Sequence, residues 1–108
     1  MKLYISIDQD GFELDVPEQL MVETQSNVAE MDQEFDRGQQ MGRYWIEQPD
    51  DFQRCQVVAN KLVDAFYLEN KRNFYLMAAY ILSKMPNARE VVVNTGSEIQ
   101  DIDILTHE

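Results

Sequence analysis

An α+β domain is the fold class that this sequence predicts, and three features predict it. Residues alternate between apolar and polar at the two ends of the chain, over 2–16 and again over 90–104. Between them, apolar residues recur at three- and four-residue steps, the spacing of one helical face. Turn-forming residues stand at the joints: Asp10-Gly11, Pro17, Pro49, Asn70, Pro86 and Asn94-Thr95-Gly96-Ser97. The expected architecture is a largely antiparallel sheet, built from N- and C-terminal β-hairpins and packed on a central block of three to four helices. One domain is expected to span residues 1–108.

At the start, Leu3, Ile5 and Ile7 alternate with Lys2, Tyr4 and Ser6, which is the period of a half-buried strand and not of a signal peptide. Asp10-Gly11 reads as the turn, after which Phe12, Leu14 and Val16 alternate with Glu13 and Asp15. The acids Asp8, Asp10 and Glu13 lack the ligand spacing of a calcium loop, so a solvated acidic hairpin is expected there. Pro17 and Glu18 suit a first helical turn, giving a short helix near 17–24.

A longer helix is expected over 27–47. Asn27 and Glu30 have the spacing of a capping box, and Val28, Met31, Phe35, Gly38, Gly42 and Trp45 fall on one face. The pair Gly38 and Gly42 then reads as a place of close backbone approach. Glu30 and Glu34 flank the stripe on one side and Asp32 and Asp36 on the other, which makes solvated edges rather than a metal site.

Pro49 ends that segment, and Asp50 with Gln53 repeats the capping pattern at the head of a helix near 51–69. Its inner face carries Phe52, Cys55, Val58, Ala59, Leu62, Val63 and Phe66, so Cys55 reads as a buried thiol. A third helix near 72–85 is apolar on every side from Phe74 to Leu82 and must be central or covered by another molecule. Glu90 to Val93 and the alternation of Ile102 and Ile104 with Asp101 and Asp103 make the closing hairpin, with Thr106, His107 and Glu108 as a frayed tail. The inner face of the sheet is expected to hold Leu3, Ile5, Ile7, Phe12, Leu14, Val16, Val91, Val93, Ile102 and Ile104.

The chain carries 20 Asp and Glu against 9 Lys and Arg, a net charge of −11 that disfavours nucleic-acid backbones and anionic membranes as partners. The glycines are scattered, so no phosphate-binding loop is present. A single histidine, second from the C-terminus, removes the usual zinc sites and histidine-based catalysis. A lone cysteine fits a reducing compartment, here the cytoplasm. These features predict a non-catalytic interaction module without cofactor or metal, an accessory or regulatory protein binding a larger protein partner, for which a basic surface would be the complement to this charge. The alternative is an acidic mimic that occupies the nucleic-acid groove of a basic protein, as phage-encoded inhibitors do. The expected contact surfaces are the outer sheet face with Glu13, Asp15, Asp101 and Asp103, and the third helix with Tyr75 and Tyr80. The surplus apolar perimeter of that helix, together with Val57 and Tyr67, further predicts a homodimer.

Overall fold

The computed structural model describes residues 1–107. In chain order the elements are β1 (Lys2–Ile7), β2 (Asp10–Asp15), α1 (Glu18–Glu23), α2 (Gln25–Phe35), β3 (Gln39–Met41), β4 (Tyr44–Ile46), α3 (Asp51–Tyr67), α4 (Lys71–Lys84), β5 (Ala88–Val93), a 3₁₀ turn (Ile99–Asp101) and β6 (Asp103–Thr106). The fold is α+β. Its main sheet has the order β2-β1-β5-β6, in which the two ends of the chain meet through a parallel pairing of β1 with β5. The two flanking pairings are antiparallel, so the sheet is mostly so.

Alternation decides which face of the sheet is buried. Leu3, Ile5, Ile7, Leu14, Val16, Val91, Val93, Ile102 and Ile104 are all buried as the pattern predicts, and Phe12 is partly covered at the edge. The helical layer on this face is led by the antiparallel pair α3 and α4, which pack on each other along their length. α4 packs on α3 and on α1, while α3 also meets β5 and β6. In α4, Ala78, Ala79, Tyr80, Ile81 and Leu82 are all at most 2% exposed, so its own chain covers most of the apolar perimeter. Val57 is buried as well, which corrects its expected exposure. The surplus that pointed to a homodimer is thus largely consumed within one chain.

The first turn lies two residues earlier than expected. Ile7 pairs with Asp10 and Ser6 with Gly11, so Asp8 and Gln9 make the bend and Asp10-Gly11 already belongs to β2. Asp8 accepts the left-handed φ of 55° and uses its carboxylate to bind the Thr95 amide and hydroxyl, both at 2.8 Å. That clip fastens the hairpin tip to the turn after β5.

Pro17 does precede a short helix, and α1 runs into α2 with a break at Thr24. The Thr24 hydroxyl donates back to the Leu20 carbonyl at 2.8 Å instead of capping α2. Asn27 lies inside α2, so the expected capping box with Glu30 does not form.

The largest departure is the segment after Phe35. In place of a helix reaching residue 47, α2 stops at Phe35 and a small hairpin, β3–β4, follows. Gly38 has φ 103° and Gly42 φ 59°, values that no helix interior contains. Gly42 and Arg43 form the bend between Met41 and Tyr44. Only the first of these two central residues has positive φ, the sign pattern of a type II′ hairpin turn. Met41 is buried and anchors the hairpin, helped by the Gln100 amide donating to its carbonyl at 2.6 Å. Trp45 is 58% exposed and lies across Gly38 instead of lining a helical stripe.

The α3 start is as read: the Asp50 carboxylate accepts from the Gln53 N–H at 2.8 Å, and the Gln53 side chain accepts from Asp50 N–H at 2.9 Å. At its end, Asn70 N–H donates to Ala65 O and Glu69 N–H to Phe66 O, which closes the helix in a Schellman motif. Glu69 occupies the left-handed position with φ 56°, where glycine is the usual residue. Glu69→Gly should therefore raise stability by about 1 kcal/mol in a denaturant melt; a loss would mean that the Glu69 side chain contributes more than its backbone costs.

Candidate functional site

Three surfaces could carry function, and they differ in what is left unpaired. The most organised is the polar cluster around Asp32 on α2. Its Oδ1 accepts from the Tyr80 hydroxyl at 2.6 Å and from Arg54 Nη1 at 3.2 Å, while Oδ2 pairs with the Lys84 ammonium. Arg54 also reaches Asp36 at 2.8 Å and the Pro49 carbonyl at 2.8 Å, and its guanidinium stands 5.6 Å from the Phe35 ring centre. One carboxylate thus ties α2 to both α3 and α4.

Partial burial alone would raise the pKa of Asp32, but hydrogen bonds from Lys84, Tyr80 and Arg54 outweigh it and hold the carboxyl below its ordinary value. Burial and the bond to Asp32 push the Tyr80 phenol far above its usual range, so it stays protonated. Burial likewise raises the Cys55 thiol to about 12, a value that makes it a poor nucleophile at neutral pH. With every strong group already matched to a partner, this cluster holds the fold together. Among the described residues, no three His, Cys, Asp or Glu side chains converge as a metal would require.

Tyr80 accordingly leaves the list of contact residues: its ring is fully buried and its hydroxyl is engaged. Tyr75 is half-buried on the neighbouring turn of α4 and reaches the surface beside Asp15. Glu13, Asp15 and Asp103 stand exposed on the outer sheet face as expected. Asp101 is exposed too, but it belongs to the 3₁₀ turn and not to a strand, and there its carboxylate receives the Glu98 N–H at 3.4 Å. The outer face is less uniformly acidic than expected. Tyr4, Glu90, Val92 and Leu105 share it, and Lys2 pairs with Glu13 at 3.5 Å.

The third surface was not foreseen as a unit. At the turn between α3 and α4, Phe66, Tyr67 and Leu68 are 40%, 59% and 78% exposed. They continue inward as an aromatic shelf: Phe66 stacks on Phe12 at 5.4 Å between ring centres, and both approach Phe74, which meets Tyr75 edge-on at 6.1 Å. Phe66 and Phe74 line a surface pocket of about 310 Å³ with Ala65, Glu69, Asn70 and Lys71. Helical periodicity placed Phe66 on the inner face, and its position in the last turn is what exposes it. The readable signal was Tyr67-Leu68 just before a helix stop at Asn70, where no further turn remains to cover them.

In comparisons with known proteins, no family model, curated protein or solved structure matches the chain.

Proposed function

We propose that the protein is a small, acidic, non-catalytic interaction module that binds a larger protein partner as an accessory or regulatory component. The observation that carries this is the shelf at the α3–α4 turn, where three successive large apolar residues are exposed and the first of them, Phe66, lines a pocket with Phe74. At roughly 25 cal/mol per Å² of apolar surface removed from water, covering such side chains supplies the core of an interface. Aromatic anchors next to a cavity are the usual centre of binding energy. Groups that elsewhere serve catalysis are here matched to one another around Asp32. The net charge of −11 favours a protein partner with basic surface over nucleic acid or anionic lipid. Among the described residues no helix is long and apolar enough to cross a membrane. The lone thiol of Cys55 supports a cytoplasmic location.

A photo-crosslinking residue at position 68, introduced in the native host, tests this. A larger protein should be captured at both low and high salt, and Phe66→Ser should abolish the capture. The same residue at Gln33, exposed on α2, serves as the background. A product no stronger than that background would overturn the proposal. Capture lost at high salt and displaced by DNA would point to the acidic mimic instead. A homodimer would bury the same shelf and would appear as a crosslink of the chain to itself.

A further inference from the structure

The main sheet ends in two open edges, β2 and β6, and they are not equivalent. β6 spans four residues, meets β5 through a register shift between Ala88 and Glu90, and its Asp103 carboxylate already accepts the Ile104 N–H at 2.9 Å. Short, irregular edges of this kind discourage further pairing. β2 spans six residues and pairs with β1 in unbroken register from Lys2↔Asp15 to Ile7↔Asp10.

The hydrogen-bond phase of that edge follows from its end. Met1 and Val16 exchange both of their backbone bonds, each at 2.7 Å. Because antiparallel pairs alternate between bonded and non-bonded positions, Leu14, Phe12 and Asp10 direct their amides and carbonyls toward β1. Gly11, Glu13 and Asp15 direct theirs away from the sheet. The free edge therefore offers a row of donors and acceptors at every second residue.

Side chains on the two sides of this row differ in chemistry. Glu13 and Asp15 project on the outer face, where Lys2 and the Met1 ammonium are the cations that approach them among the described residues, at 3.5 and 3.7 Å. On the helical side the edge is bordered by Phe12 and the shelf of Phe66 and Phe74. A second pocket of about 350 Å³, lined by Asp15, Leu20, Glu23 and Tyr75 among others, opens at the end of β2.

We infer that β2 is a docking edge for an extended basic segment of a partner protein, one in which Lys or Arg alternates with apolar residues. Main-chain bonds to Gly11, Glu13 and Asp15 would add a fifth strand. Cations on one side of that strand meet Glu13 and Asp15, and apolar side chains on the other settle on the shelf and in the Leu20–Tyr75 pocket. A second copy of this chain fits the same edge poorly, since Glu13 and Asp15 would face their own equivalents. This inference rests on the shelf being an interface, as proposed above.

The test is amide hydrogen exchange on the full chain with a synthetic peptide of alternating lysine and valine, about as long as β2. The peptide should slow exchange at Gly11, Glu13 and Asp15 by about tenfold and leave Phe12 and Leu14, already bonded to β1, unchanged. The same peptide N-methylated at alternate amides keeps its charge but should protect nothing. Glu13→Lys with Asp15→Lys, both at exposed positions, should weaken binding about tenfold. Equal protection by the N-methylated peptide, protection at β6 in place of β2, or concentration-dependent protection without any peptide would each overturn the inference. If the edge amides stay unprotected while position 68 still crosslinks, only this inference fails; if both fail, the proposed function fails with it.

Discussion

Asp32→Ala should lower the stability of the fold by about 3 kcal/mol, the largest effect expected of any single polar substitution in this chain. The carboxylate is 19% exposed and its partner Arg54 12%, so both ions have given up most of their water. Removing the acid strips Lys84 and the buried Tyr80 hydroxyl of their partner and leaves Arg54 with Asp36 as its one remaining carboxylate. Tyr80→Phe deletes one hydrogen bond and leaves both ion pairs, so it should cost only about 1 kcal/mol. The pH profile provides a second readout. The folded-state pKa of Asp32 lies below the ordinary value, so its contribution is present above about pH 4, the unfolded carboxylate range. It is lost as pH falls through the lowered folded value. Wild type should therefore lose stability more steeply than Asp32→Ala on acidification below about pH 4. A loss under about 1 kcal/mol at neutral pH, with parallel acid slopes, would show that the cluster is only a surface ion pair.

How far the fold could be read from sequence depended on whether one period explained each segment. Leu3, Ile5 and Ile7 alternate without exception and have one face to bury, so the strand and its orientation follow directly. Asp50 and Gln53 mark the start of α3 by a local bond that needs nothing from the rest of the chain. The parallel joining of β1 to β5 was illegible because it is made across more than eighty residues and leaves no local trace. The Asp32 cluster was illegible for a similar reason. Asp32, Arg54, Tyr80 and Lys84 come from three helices, and only packing brings them together. Periodicity puts Asp32 and Asp36 on a solvated helix flank, whereas the structure turns both toward Arg54. Of the surface positions expected to meet a partner, Glu13, Asp15 and Asp103 follow from strand alternation. Tyr80 does not, because a helix apolar on all sides gives no indication of which side is innermost.

The segment after Phe35 shows how a period can mislead, and it yields a prediction whose sign decides between two structures. Gly38 and Gly42 are four residues apart and fit a helical stripe ending at Trp45 equally well as they fit two turns. If residues 36–46 were helical, Gly38→Ala would gain about 1 kcal/mol from helix propensity. In the hairpin, Gly38 holds φ 103°, which an L-residue adopts only under strain, and an added Cβ would run into the Trp45 ring. Gly38→Ala should therefore destabilise by about 2 kcal/mol, and Gly38→Leu by at least as much. Because the single tryptophan of the chain lies against this position, its fluorescence should shift in the same variants before global unfolding begins. The close approach at Gly38 is thus real but made by an indole and not by a second helix. A stabilised Gly38→Ala variant with unchanged Trp45 emission would restore the continuous helix and remove the β3–β4 hairpin from the fold.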